Sequence, residues 1–281
     1  MFARVPASSA NLGPGFDTLA VALNRYVEVE LHEADEFSIA TSGTGAGQFD
    51  DEHHLAAVVA ASVLGHYRFA LSVFSEIPLS RGLGSSAAVA LAAAAAAGAA
   101  DPLGVAVRRD GHAENAAASW RGGLVVADAR DGDVVVADLT LDPEWRFVVV
   151  VPDVELATAD ARRVLPSQVP FADAVANLTS LGLLIAGLAD HRRFVGGSMR
   201  DRLHQPFRAA LLPFADALMD ALRAAGAVDA CWSGAGSSML GLVSVDRADA
   251  VARGVRLFLG EAGVGAVVEV LEADRTGLVV R

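Results

Sequence analysis

The sequence has no lysine: all 22 of its basic residues are arginine, set against 34 acidic residues for a formal net charge of −12. Without lysine there is no Walker-type phosphate lysine, no protein-kinase strand lysine and no Schiff base, so three large enzyme classes drop out. The acidic balance argues against a general nucleic-acid surface, because phosphate backbones are held by clustered cations. Cysteine is almost as scarce. Cys231 stands alone, which excludes an intramolecular disulfide and any multi-cysteine metal site and leaves it as a small buried apolar residue. Long apolar runs are missing too: the longest, Ala87 to Ala100, falls short of the roughly 20 residues that cross a bilayer and suits a packed helix. Met1-Phe2-Ala3-Arg4-Val5-Pro6 has neither a basic leader nor an apolar core behind it. The expectations are a cytoplasmic protein whose partners are small molecules, with no nucleic acid and no membrane, and a homodimer as the default for a soluble enzyme.

What is present is enough chain, 281 residues, for two domains with a core each. Val5 to Asp17 reads as a strand and a Gly-Pro-Gly turn, and the alternation over Asn24–His32 as a half-buried strand. Leu55 to Gly65 reads as helix and Phe69 to Ser75 as strand. The Ala87 to Ala100 helix follows, stopped by Asp101-Pro102, and then a further helix to about Ala118. Two short strands, Leu124 to Asp128 and Val134 to Leu139, complete a first domain over 1–142. The apolar run Phe147 to Val151 opens a second, 143–281, with helices over Ala159–Arg163, Phe171–Asp190, Met199–Leu211 and Pro213–Ala225 and a strand-turn-strand-helix-strand tail. The mixed order indicates α+β in both halves.

Three Gly- and Ser-rich segments carry chemistry. In Arg81-Gly82-Leu83-Gly84-Ser85-Ser86-Ala87, glycines allow close backbone approach to an anion, the following helix offers unpaired N–H groups, and serine hydroxyls reach phosphate or Mg²⁺. By itself a Gly-x-Gly turn with a serine cap explains the same residues. The second segment, Pro6 to Asp17, contains Asn11, a donor and acceptor, and Asp17, which suits an ammonium. The third, Trp232-Ser233-Gly234-Ala235-Gly236-Ser237-Ser238-Met239, lies between two strands as a hairpin would. Two such loops in one chain strengthen the anion-binding reading of the first.

In this order and spacing the three segments resemble the motifs of the GHMP small-molecule kinases, and the resemblance runs along essentially the whole chain. Thr158 to Pro166 and Asp201 to Arg208 resemble the homoserine-phosphorylating branch, as does Asp110-Gly111-His112-Ala113-Glu114-Asn115. The resemblance implies a two-domain GHMP fold, with an N-terminal domain of the ribosomal-protein-S5-like type and a ferredoxin-like C-terminal domain. It implies transfer of the γ-phosphoryl of ATP to the side-chain hydroxyl of L-homoserine, giving O-phospho-L-homoserine for threonine biosynthesis, with ATP and Mg²⁺ as cofactors.

The same resemblance implies the site. Asp17 pairs the substrate amine, and Arg162 and Arg208 pair its carboxylate. Asn11 and His112 orient it, with Asn11 and Thr158 as catalytic candidates. Arg81, Gly82, Leu83, Gly84, Ser85, Ser86 and Ala87 hold the phosphates, and Ser85, Ser86 and Asp110 face the metal. Asp110 stands where the family has a glutamate, one methylene longer, which matters to an ion needing octahedral contacts near about 2.1 Å. Glu114, His54 and Ser237-Ser238 also depart from the family pattern, His54 near the nucleotide base. A GHMP kinase for another small alcohol, or a non-catalytic sensor on this fold, are the alternatives the residues leave open.

Overall fold

The alternation at Asn24–His32 is the visible half of a longer strand. The computed structural model describes residues 1–130 and 132–281, apart from the side chain of Asp110. In it β1 (Phe2–Asn11) and the nineteen-residue β2 (Gly15–Glu33) form an antiparallel pair around the turn at residues 12–14. Leu19 to Leu23, in the first half of β2, are all buried, so no polar residue alternates there to mark the strand. Register shifts after Pro6 and Ala10 break the pairing of β1 with β2. β2 serves two neighbours: Leu19–Val21 pair with β5 (Leu124–Arg130), and Val27–Glu33 pair with β4 (Phe69–Ser75). β6 (Asp133–Leu139) extends the sheet beyond β5. β3 (Ser38–Gly43), whose polar sequence gives no strand signal, lies parallel to β4, with α1 (Leu55–Leu64) as their crossover.

The alanine tract becomes α2 (Ser85–Ala96), with eleven of its twelve residues buried. Alanine is required by its surroundings. The helix runs through the middle of its half of the molecule, against β1 and β2 and flanked by α1, α3 (Pro102–Asp110) and α4 (Ala113–Arg121). Larger side chains would hold those elements apart. Two expected boundaries move. Asp101-Pro102 starts a helix where a stop is predicted: the Asp101 carboxylate accepts from the Gly104 N–H at 2.8 Å, and Pro102 fills the first turn, where its missing N–H costs nothing. The single helix expected up to Ala118 is broken at Gly111 (φ 80°), which caps α3.

The second half is built on a four-stranded antiparallel sheet in the order β10 (Ala266–Leu271), β7 (Trp145–Pro152), β9 (Met239–Ser244) and β8 (Asp229–Trp232). Past Arg146, which pairs with Glu272, β7 is an unbroken apolar run from Phe147 to Val151 because it serves two cores. Phe147, Val149 and Val151 join the core of the first half, while Val148 and Val150 face α8 (Ala215–Ala225) and α9 (Ala248–Ala262). β11 (Val279–Val280) returns to pair with β1 in the first sheet. Asp142, at the junction, accepts the N–H groups of His191 and Glu144, and these hold its carboxyl down at about 2. Cys231 is buried, and burial pushes its thiol pKa up.

α5 (Thr158–Arg163) and α6 (Phe171–Ala189) match expectation, but the helix predicted over Met199–Leu211 is mostly turn. Asp201 accepts from the N–H groups of Leu203, His204 and Gln205, so side chain replaces helix there, and only α7 (Gln205–Arg208) and a 3₁₀ turn remain. Although Asp173, Asn177, Thr179 and Ser180 interrupt its apolar residues, α6 is by length and composition alone long and apolar enough to cross a membrane, and Phe171 and Leu178 are exposed on it.

Asp101→Ala is expected to lower stability by about 1 kcal/mol, the worth of a helix N-cap, in urea unfolding, with turnover unchanged.

Candidate active site

The three Gly- and Ser-rich segments meet at one place. The Ser8 N–H donates to the Leu83 carbonyl, the Gly234 N–H to the Ala10 carbonyl and the Ser238 N–H to the Arg81 carbonyl. Ser233 Oγ donates to the Gly82 carbonyl at 2.7 Å and lies 2.8 Å from Ser9 Oγ. Packing this close leaves no room for side chains. A Cβ on Gly82 would collide with the Ser233 carbonyl oxygen and one on Gly84 with Ser8 Oγ, and both glycines have positive φ.

A cavity of about 560 Å³ runs along the junction. The start of α2 lines it, where Gly84 is the N-cap and, among the described residues, no side chain caps the helix. Its first N–H groups and positive dipole end therefore address the cavity. Thr41, Phe49, His54, Val73 and Leu79 line one end. His54 caps α1 by accepting from the Ala56 N–H through Nδ1, and burial lowers its pKa. The other end is charged, lined by Asn11, Asp17, His112, Thr158, Arg162 and Arg208.

Asn11, 3% exposed, donates through Nδ2 to the Gly234 carbonyl and accepts through Oδ1 from the Asp17 N–H. Both its polar groups are thus engaged within the protein, and it positions Asp17. Arg162 donates to both Asp17 oxygens, at 2.6 and 3.0 Å, and to His112 Nδ1 at 3.1 Å. Arg208 is 1% exposed and donates to the carbonyls of Ala161 and Gly234 and to His204 Nδ1. Among the described residues no carboxylate comes within ion-pair distance of it. Both guanidinium groups lie over the Phe16 ring, at 5.6 Å for Arg162 and 5.4 Å for Arg208.

The loop residues differ in what they present. Gly82, Gly84, Leu83, Ser85 and Ser86 line the cavity, while Ala87 is packed in the core behind them. Arg81 lines it as well, but its guanidinium donates to the carbonyls of Leu79, Pro152 and Asp153 and pairs with Glu155, which ties the loop to the end of β7. Asp110, predicted at the metal, lies outside the described residues in its side chain; Glu114, 4% exposed, brings a carboxylate to the cavity wall.

His204 is the site residue that the sequence did not single out, although it sits inside a quoted motif. Arginine only donates, so His204 Nδ1 accepts from Arg208 and the ring proton sits on Nε2, which donates to the Gly13 carbonyl at 2.9 Å. Burial pushes its pKa down to about 4; Asp201 opposes the shift and the charge of Arg208 adds to it. Burial and then the like charge of Arg162 lower Arg208 to about 10, which still leaves it protonated at neutral pH.

Comparison with known proteins bears on this geometry. The family model of the GHMP kinases N-terminal domain matches residues 52–123, and that of the GHMP kinases C-terminal domain residues 176–260. Fold and both family models together define a small-molecule kinase of the GHMP class. Homoserine kinase of Nostoc sp. is 35% identical over 98% of this chain and 96% of its own length, and that of Moorella thermoacetica 37% identical over 84% and 85%. The crystal structure of homoserine kinase from Cytophaga hutchinsonii superposes with a TM-score of 0.85 at 29% identity, covering 100% of this chain and 97% of that one. The chain belongs to the homoserine kinase family. Mevalonate kinase of L. major, 16% identical with a TM-score of 0.71, shares the fold.

Because His204 is neutral in the folded protein down to about pH 4 but takes up a proton near 6.5 when unfolded, stability is expected to fall as pH drops through that window and to be insensitive to this residue above it. Calorimetric melting should show a steeper loss between pH 6.5 and 4 for the unsubstituted protein than for His204→Asn; parallel curves would remove His204 from this role.

Proposed function

We propose that the cavity binds ATP and L-homoserine side by side and that the γ-phosphoryl group passes to the side-chain hydroxyl, giving O-phospho-L-homoserine. The observation that carries the acceptor end is Arg208. A fully buried guanidinium without a carboxylate costs stability unless a bound anion completes it, and the carboxylate of an amino acid suits its planar donors. Arg162 supplies the second cation, and Asp17 the anion for the substrate ammonium. The ring of Phe16, under both guanidinium groups, keeps them at one wall.

Gly82 to Ala87 hold the triphosphate through loop and helix N–H groups, with Arg81 acting on the loop's position. The apolar end, with Thr41, Phe49 and His54, receives the base. Ser85 and Glu114 line the wall beside the uncapped helix end. These hard oxygen donors fit Mg²⁺, which Ser85, Ser86 and Glu114, with Asp110 four residues before Glu114 in sequence, would hold. When bound, the ion supplies neutralisation of the charge spread over the transferring group. Thr158, at the first turn of α5, and His112, bonded to Arg162, lie along the acceptor path. Transfer of this kind depends mainly on positioning and charge, so no carboxylate base is assigned. The setting is cytoplasmic and the partners are small molecules, with the exposed apolar face of α6 suited to a second copy of the chain.

Steady-state ADP release with ATP, Mg²⁺ and a panel of amino-acid alcohols tests the assignment, with homoserine expected to be the preferred acceptor; silence across the panel in folded protein would overturn it. Arg208→Ala is expected to raise KM for homoserine by roughly tenfold or more, the scale of a lost charge-assisted contact, with KM for ATP unchanged. An unaltered KM for homoserine removes Arg208 from the site.

A further inference from the structure

Asp17 and Arg162, assigned above to opposite charges of one substrate, are bonded to each other. The pairing is two-pronged, with NH2 to Oδ1 at 2.6 Å and NH1 to Oδ2 at 3.0 Å, between residues 145 apart in the chain. Neither partner turns away easily. Asp17 has a left-handed backbone (φ 54°) whose N–H is fixed on Asn11 Oδ1. Arg162 is also bonded to His112, and its Nε is buried without a hydrogen-bond partner among the described residues. A substrate and this ion pair therefore compete for the same carboxylate oxygens and the same guanidinium N–H groups.

We propose that the Asp17–Arg162 pair is a latch that a zwitterion opens and that a singly charged ligand does not. The inference rests on the homoserine site proposed above. When an amino acid binds, its ammonium takes Asp17 while its carboxylate takes Arg162, so both protein charges change partner and neither is left alone. An alcohol with only an amine takes Asp17 and strands Arg162; one with only a carboxylate strands Asp17. Leaving one member of a partly buried pair without its partner costs more than the pair itself contributes. Selectivity for amino acids thus has a repulsive component, set by the pair, in addition to the attractive contacts.

The test measures Kd by isothermal titration calorimetry on the full chain saturated with Mg²⁺ and a non-hydrolysable ATP analogue. The ligands are L-homoserine, L-2-amino-1,4-butanediol, which lacks the carboxylate, and 4-hydroxybutyrate, which lacks the amine. Arg162→Met frees Asp17, so it is expected to bind the aminobutanediol more tightly than the unsubstituted protein does, by roughly threefold to tenfold, the range for breaking a partly exposed two-pronged pair. Asp17→Asn frees Arg162 and is expected to bind 4-hydroxybutyrate more tightly by a similar factor. Both substitutions weaken homoserine. Analogue binding that is unchanged or weaker in either folded variant, with homoserine weakened, overturns the latch and leaves the site standing. Homoserine binding unaffected by both substitutions overturns the site assignment itself, a different result that the same titrations resolve.

Discussion

Hydrogen bonds crossing between the three Gly- and Ser-rich loops fasten distant parts of the chain to one point. Ser9 meets Ser233 across 224 residues, and Asn11 meets Gly234 across 223. Each bond adds only about 1 kcal/mol net, but a buried donor or acceptor stripped of its partner costs more, so the set holds or fails together. Only residues with little or no side chain permit this approach, which is why glycine and serine recur in all three loops. The Gly234 carbonyl accepts from both Asn11 and Arg208, while the other end of Asn11 holds the Asp17 N–H. The wall that carries Asp17 and Arg208 is therefore continuous with the glycine turn that opens α2.

The absence of lysine shapes the electrostatics within that frame. In the proposed site phosphate is left to the start of α2 and its serines, since Arg81, at the head of the loop, is engaged with carbonyls and Glu155. Arg208 is kept charged in a buried place by neutral partners. His204 serves because it is neutral: a protonated ring could not accept from Arg208 and would set a second cation beside it. Burial disfavours charge on both groups, yet a guanidinium starts so far above neutrality that it keeps its proton while imidazole loses its own.

How much of this the sequence disclosed follows from which forces are local. The glycine turn that opens α2 was legible because positive φ and close approach demand glycine at fixed spacing. The second half of β2 was legible because one face is wet and the pattern alternates. The first half, buried on both sides, has no such period, and β3 is too polar to announce itself. Asp101-Pro102 misled because a dipeptide that can stop a helix can also cap one; α2 already ends at Ala96, and the capping bond to Gly104 decides. At 199–204 the Asp201 carboxylate outcompetes helix formation, which residue propensities do not foretell. In the site, Asp17, Arg162 and Arg208 could be named from a family pattern, but not the bonding of Asp17 to Arg162, which depends on contact between residues 145 apart. The part played by His204 stayed hidden for the same reason, since a tautomer is set by neighbours in space.

Phosphoryl transfer asks that donor and acceptor oxygens be held in line, and in the proposed site the residues that hold them come from both halves of the chain. The phosphate loop belongs to the first half, and Arg162 and Arg208 to the second. A hinge between the halves would make that alignment a matter of chance encounters. The structure avoids one by sharing a core. Alternate residues of β7, Phe147, Val149 and Val151, pack with the side chains of the first half, and Leu184, Leu188 and Met199 join the same cluster. β11 then closes the first sheet with residues from the end of the chain. Close-packed cores resist small displacements, so positioning, which supplies much of the rate in such a reaction, is built into the packing before either substrate arrives. Specificity can then reside in a few polar contacts at the cavity wall, where an ion pair changes partners while the frame around it stays in place.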